Sequence, residues 1–141
     1  LIVDSLEFIL FPTLEEISTL SIEELESTKI GYRAKFIKSC VQELLEKKLD
    51  ERIESLNLED ARFELIKLHG IGDKVADCIL VFGLGFDEIT PLDLWAKRAL
   101  INLYNLDPKQ NYESMQKWLY SKFGENTAFA GQYLFEYVRN A

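Results

Sequence analysis

The sequence predicts an all-α fold built from short helices. Apolar residues recur at three- and four-residue spacing, as in Phe36, Ile37, Val41, Leu44 and Leu45 and again in Tyr133, Leu134, Tyr137 and Val138. That spacing gathers them on one helical face. Helix-starting and helix-stopping residues separate these stretches at close intervals, with no internal repeat, low-complexity tract or long linker between them. With 141 residues, 48% of them hydrophobic, the chain suffices for one compact domain or two small helical lobes sharing a cleft. A separate cofactor domain does not fit.

In chain order, Leu1, Ile2, Leu6, Ile9 and Leu10 predict one face of a helix already under way. Because the chain also opens without methionine, an N-terminal truncation is expected. Phe11-Pro12-Thr13 breaks the pattern, and Thr13 can cap a helix carrying Glu15 and Glu16 in its first turn. Ser21 starts Ser-Ile-Glu-Glu, a capping box with Glu24. Gly31 interrupts the next segment. Further stops are predicted near Asn57, at residues 69–72 and 83–90, at Asp107-Pro108 and near Gly124. The boundary between lobes is expected in the 83–91 connection, dividing the chain into residues 1–88 and 89–141.

Composition narrows the functional classes. The one strongly apolar window, residues 78–86, falls far short of the roughly 20 residues a membrane helix needs, so a soluble chain is predicted. Nothing resembles an export signal. Cys40 and Cys78 make no disulfide framework and are too few for a four-cysteine iron–sulfur cluster or a structural zinc, which suits a reducing, intracellular setting. The net charge of -8 is awkward for a nucleic-acid binder, since affinity for phosphate comes from Lys and Arg. Distribution matters more than the total. Acid concentrates at Glu15, Glu16, Glu23, Glu24, Glu26 and residues 50–60, whereas residues 27–42 hold Lys29, Arg33, Lys35 and Lys38 and no carboxylate. That pattern fits a basic face on an acidic body, and equally the solvated side of a helix.

The stretch richest in chemistry is Leu68-His69-Gly70-Ile71-Gly72-Asp73-Lys74-Val75-Ala76-Asp77-Cys78: a helix end, two glycines one residue apart, and a new helix. Such glycines let backbone approach a phosphate while the amides of the second helix point at it; a helix C-cap and tight turn explain two glycines as well. Lys74 falls in the first turn of the new helix, where the positive end of the dipole opposes its ammonium charge and is expected to lower its pKa. A lysine that is partly desolvated there is suited to attack as a neutral amine and form a Schiff base; an exposed lysine with no task is the competing reading. Cys78 follows one helical turn later on the same face and can pair with or orient that amine. Asp93 stands just before the next amphipathic stretch. It reads as an N-cap, and a carboxylate held by backbone amides there can also stabilise positive charge developing on a sugar.

The glycine hairpin, the lysine two residues beyond it and an aspartate 19 positions further (93 − 74) resemble the helix-hairpin-helix DNA glycosylase superfamily. More narrowly, Gly-Ile-Gly-Asp-Lys-Val-Ala-Asp-Cys with Pro-Leu-Asp is similar to its 8-oxoguanine glycosylase/lyase branch, which places lysine, cysteine and aspartate at matching positions. Phe11-Pro12 and Gly31-Tyr32-Arg33-Ala34 match an upstream block, and Gly124 with Leu134-Phe135 a C-terminal helix. The resemblance implies two helical lobes with the active site in the cleft between them, and a hairpin motif over about residues 62–82. It implies catalysis by Lys74 and Asp93 with Cys78 in support, and DNA-backbone binding by His69, Gly70, Ile71 and Gly72. Tyr32 would wedge into the duplex and Arg33 contact the opposite base, with Phe135 and Gln132 in the flipped-base pocket. No catalytic metal or cofactor is implied, only a structural cation at the Leu68 and Gly70 carbonyls. The partner is double-stranded DNA with a damaged base, handled by a monomer in the cytoplasm and nucleoid or in the nucleus, with no membrane role.

Three positions depart from the branch: His69 replaces a proline, Trp95 a histidine, and Gly131, beside Gln132, the glutamine that reads the base edge. The N-terminal sheet domain and first core helices of the family are expected to be missing. Competing readings are a monofunctional alkylbase glycosylase using Asp93 alone, a non-catalytic helix-hairpin-helix DNA-binding module, and an acidic helical interaction domain.

Overall fold

A computed structural model describes residues 2–3, 6–7 and 10–140. Among the described residues the fold is helical apart from one small antiparallel pair, β1 (Ile2–Val3) against β2 (Leu6–Glu7), in which Ile2 faces Glu7 and Val3 faces Leu6. This corrects the expectation of a helix at the start. Ile2 and Leu6 lie in strands, Leu10 lies in irregular, exposed chain, and Leu1 and Ile9 fall outside the described residues. The apolar residues that suggested a helical face, Ile2 and Leu6, lie instead in two short paired extended segments.

The predicted helix signals operate where they occur. α1 (Leu14–Thr19) and α2 (Ile22–Leu25) each begin with a complete capping box: the Thr13 and Ser21 hydroxyls accept from the Glu16 and Glu24 amides, and those glutamates accept from the Thr13 and Ser21 amides. After α2 a wide π-type turn over Glu26–Ile30 leads to Gly31, with Lys29 at φ 65°. Then come α3 (Arg33–Lys47), α4 (Leu49–Arg52), α5 (Leu58–Ile66), α6 (Asp73–Phe82), α7 (Leu94–Tyr104), α8 (Tyr112–Phe123) and α9 (Thr127–Asn140). Asn57, Asp93 and Asn111 cap α5, α7 and α8 through side-chain oxygens. No helix among the described residues is long and apolar enough to cross a membrane.

By contact the chain divides into two compact units, residues 1–53 with 68–70, and residues 54–67 with 71–141. These cut the chain at other places than lobes 1–88 and 89–141. The core of the first unit is Ile17, Leu25, Ala34 and Val41, ringed by Leu14, Leu20, Ile22, Ile30, Ile37 and Leu45. That of the second is Leu92, Ala96, Leu100, Leu106, Met115 and Leu119, with Tyr104, Trp118 and Phe123 packed around it. α5 packs against α6 in the second unit, and Arg62 bridges to both Asp73 and Asp77, at 2.8 Å each.

Candidate active site

In the second unit, Gly72 enters α6 in extended conformation, so the helix starts at Asp73 and Lys74 is its second residue. Asp73, in the first turn, suits the positive end of the helix dipole and also takes the Arg62 guanidinium. Lys74 itself is exposed. That corrects the expectation of a partly desolvated amine: a first-turn position leaves the side chain outside the packed face formed by Ala76, Asp77 and Leu80. Cys78, half-buried and free, comes one turn further on.

Asp93 reaches the same place from a different helix. Its Oδ1 accepts from the Ala96 amide at 2.8 Å, the N-cap bond expected from sequence, and the carboxylate is half-buried at the head of α7. α9 supplies the remaining wall. Lys74, Cys78, Phe82, Thr90, Pro91, Asp93, Gly131, Gln132 and Phe135 together line a cavity of about 180 Å³. The structure therefore brings five of the sequence-selected residues into one pocket.

Gly131 makes that assembly possible. A Cβ built on it would lie 1.9 Å from Thr90 Oγ1 and 2.6 Å from Thr90 Cβ, so α9 closes on the 89–93 connection only without a side chain there. The Ala128 amide also donates to the Asp87 carbonyl at 2.9 Å, fastening α9 to the same connection. Gln132 is exposed and Phe135 half-buried, with the Arg139 guanidinium 5.8 Å from the Phe135 ring.

The remaining candidates belong to the first unit or to the hairpin, where the contact division passes between Gly70 and Ile71. Tyr32 is exposed, its ring edge-on to Phe36 at 6.0 Å, with Arg33 4.9 Å above it. Phe36 in turn meets the His69 ring at 5.1 Å. Gly70 has φ 89°, and a Cβ there would come within 2.6 Å of Phe36 Cβ, so it must be glycine on both counts. The Glu43 carboxyl is held below its usual range by its bond to Lys47 and, after that, by a hydrogen bond from the His69 backbone. α3 thus grips the hairpin through Phe36 and Glu43. Ile71 is half-buried and Gly72 exposed. Of the basic residues in 27–42, Lys29, Arg33 and Lys35 are exposed, but the Lys38 ammonium donates to the Ser18 and Leu20 carbonyls at 2.5 and 2.6 Å. Lys38 is a tie between helices and leaves the predicted basic face.

Sequence reasoning passed over a buried polar cluster beside the pocket. Asp77, fully buried on α6, accepts from Arg62 Nε through Oδ1 and from Tyr112 Oη and Gln116 Nε2 through Oδ2. Burial, then the Asp77 carboxylate, push the Tyr112 hydroxyl well above the usual tyrosine range. Burial alone would lower the Arg62 pKa, but its bonds to Asp77 and Asp73 outweigh it and raise the value. The signal was legible as a carboxylate set among Val75, Ala76, Cys78, Ile79 and Leu80, on the apolar side of an amphipathic helix.

A glycine hairpin leads into the lysine-bearing helix, and an aspartate-capped helix opens on the same pocket, the arrangement that the resemblance to helix-hairpin-helix DNA glycosylases led one to expect. No family model matches the chain. Individual proteins do. It is 34% identical over 126 residues to a probable N-glycosylase/DNA lyase of Methanothermobacter thermautotrophicus, covering 88% of this chain and 39% of that protein. It is 31% identical over 122 residues to the N-glycosylase/DNA lyase of Saccharomyces cerevisiae, covering 78% and 32%. Among solved structures, the 8-oxoguanine glycosylase/lyase of Clostridium acetobutylicum, bound to double-stranded DNA with cytosine opposite 8-oxoguanine, superposes with a TM-score of 0.88 at 33% identity, over 99% of this chain and 48% of that one. Over the aligned residues the chain is similar to N-glycosylase/DNA lyases, an 8-oxoguanine glycosylase/lyase among them. It spans less than half the length of each of these relatives.

Proposed function

We propose that the protein is a base-excision-repair enzyme, a bifunctional DNA glycosylase and lyase that removes an oxidised purine, 8-oxoguanine, from duplex DNA. The observation that carries the reading is the convergence of Lys74 and Asp93, from different helices, on one pocket with Cys78 and Phe135. The damaged nucleotide is turned out of the stack into this pocket, at a cost of about a few kcal/mol of unstacking that binding recovers. Lys74 Nζ attacks C1′ of the deoxyribose, and the base departs with the electrons of the glycosidic bond. Asp93 stabilises the positive charge that develops on the sugar as that bond breaks. Loss of a proton from nitrogen and opening of the ring yield a Schiff base, and β-elimination then expels the 3′ phosphate and nicks the strand.

The other roles follow the same reading. Cys78 supports the lysine, and Phe135 and Gln132 meet the flipped base. Gly131 offers no side chain for its edge, so the polar contacts there fall to Gln132 and to Thr90. Tyr32 fills the gap left in the duplex and Arg33 contacts the opposite base; the exposed stacked pair suits that task. His69, Gly70, Ile71 and Gly72 hold DNA backbone. The Leu68 and Gly70 carbonyls are hard oxygen donors of the kind a structural cation takes between hairpin and phosphate. The working form is an intracellular monomer on double-stranded DNA, with lobes 1–88 and 89–141 on either side of the cleft.

Borohydride trapping on an 8-oxoguanine:cytosine duplex tests the proposal. The wild-type protein gives a covalent adduct and Lys74→Gln gives none. A wild-type protein that releases base without any adduct would be a monofunctional glycosylase, and one that binds the duplex but releases nothing would be a binding module.

A further inference from the structure

Residues 89–93 carry no regular secondary structure, yet they end on Asp93 and so decide where its carboxylate stands. Backbone polar groups in such a stretch must find partners elsewhere, and Pro91 has no N–H to offer. Three of the neighbouring groups go to two side chains of α8. The Thr90 amide donates to Gln116 Oε1 at 3.4 Å, Gln116 Nε2 donates to the Thr90 carbonyl at 2.6 Å, and the Leu92 amide donates to Tyr112 Oη at 3.1 Å. Tyr112 and Gln116 then both donate to a single oxygen, Asp77 Oδ2, each at 2.6 Å. Asp77 lies on α6 three residues after Lys74, is wholly inaccessible to solvent, and is anchored through its other oxygen by Arg62.

A buried carboxylate is tolerated only when it is paired and hydrogen-bonded, and a similar volume of apolar side chain would fill the space at no greater cost. What the carboxylate adds is connection. Its hydrogen bonds lead through Arg62 to α5 and back to Asp73, and through Tyr112 and Gln116 to the backbone on both sides of Pro91. We infer that Asp77 is a positioning residue which, through Tyr112 and Gln116, fixes the Thr90–Leu92 backbone to the helix carrying Lys74. It thereby sets the Asp93 carboxylate against the Lys74 amine. The inference rests on the glycosylase and lyase reading above.

The test separates a step that needs both groups from one that needs Lys74 alone. Release of 8-oxoguanine uses Lys74 and Asp93; borohydride trapping on a duplex with a preformed abasic site uses the amine without a base to expel. In the full protein, Tyr112→Phe keeps the ring in the core and deletes only the hydroxyl, and Gln116→Leu deletes the other relay. Each is expected to slow single-turnover base release about 10- to 100-fold, the scale on which small misplacements act. Abasic-site trapping and affinity for an uncleavable abasic duplex should change less than about threefold. Asp77→Asn should show the same split more strongly, provided its thermal midpoint confirms that it folds. Equal slowing of release and trapping, or no slowing in either relay variant, would overturn the inference. A wild-type protein that neither releases base nor forms the adduct would instead overturn the proposed function, and this inference with it.

Discussion

Lys74 and Gly131 illustrate two ways a single residue can matter to a pocket. In the proposed mechanism Lys74 supplies chemistry from an exposed position, so its replacement is expected to leave the fold intact: Lys74→Gln should keep the wild-type thermal midpoint while losing the borohydride adduct. Gly131 supplies nothing but absence. Because a Cβ there would meet Thr90 Oγ1 at 1.9 Å, Gly131→Ala must push α9 away from the connection or force Thr90 off its rotamer. Overpacking of this kind costs roughly 1–3 kcal/mol. Thermal denaturation should show that loss, and the double variant Gly131→Ala/Thr90→Ser should not regain it fully, since Thr90 Cβ is itself only 2.6 Å from the added atom. The branch glutamine that would stand at 131 is excluded by the same contact, which ties the departure in sequence to a specific packing choice at Thr90.

Among elements, the helix starts show how local chemistry fixes boundaries. Thr13 and Ser21 each close a full capping box, and Thr13→Ala should cost about 1 kcal/mol of stability by urea or thermal unfolding, since it leaves a first-turn amide without its partner. The junction of α6, α8 and the 89–93 connection is governed by the Asp77 cluster instead. Burial and the adjacent carboxylate raise the Tyr112 pKa above that of a tyrosine in the unfolded chain, which is about 10. The folded state then holds that proton more tightly, so the stabilisation is fully present below about pH 10 and is lost as pH rises through the raised value. A plot of thermal midpoint against pH should accordingly fall less steeply above pH 10 in Tyr112→Phe than in the wild type.

For the whole molecule, charge and fold have to be reconciled. A net charge of -8 gives no general attraction to DNA, so the proposed duplex binding would rest on local cations such as Lys29, Arg33 and Lys35, all exposed, together with hairpin amides. Duplex affinity measured from low to high salt should fall linearly on a logarithmic plot, by about 0.9 for each phosphate neutralised. Affinity independent of salt would point to the acidic interaction domain instead.

The sequence by itself determined the helical class, the cap residues and the pairing of a hairpin lysine with a distant aspartate. Each of these rests on neighbours within a turn or two, or on spacing along the chain. Only the tertiary structure decided that residues 2–3 and 6–7 form strands, that Lys74 is exposed, and that Lys38 serves as a tie. It also decided that α9 closes the pocket over Gly131, and that Asp77 ties together Arg62, Tyr112, Gln116 and the backbone around Pro91. Those facts depend on which groups meet after folding, 15 to 39 positions apart in the case of Asp77 and its side-chain partners, and no local propensity encodes such a meeting. Lys74 and Asp93 could be picked out from sequence; the hydrogen-bonded cluster around Asp77 could not.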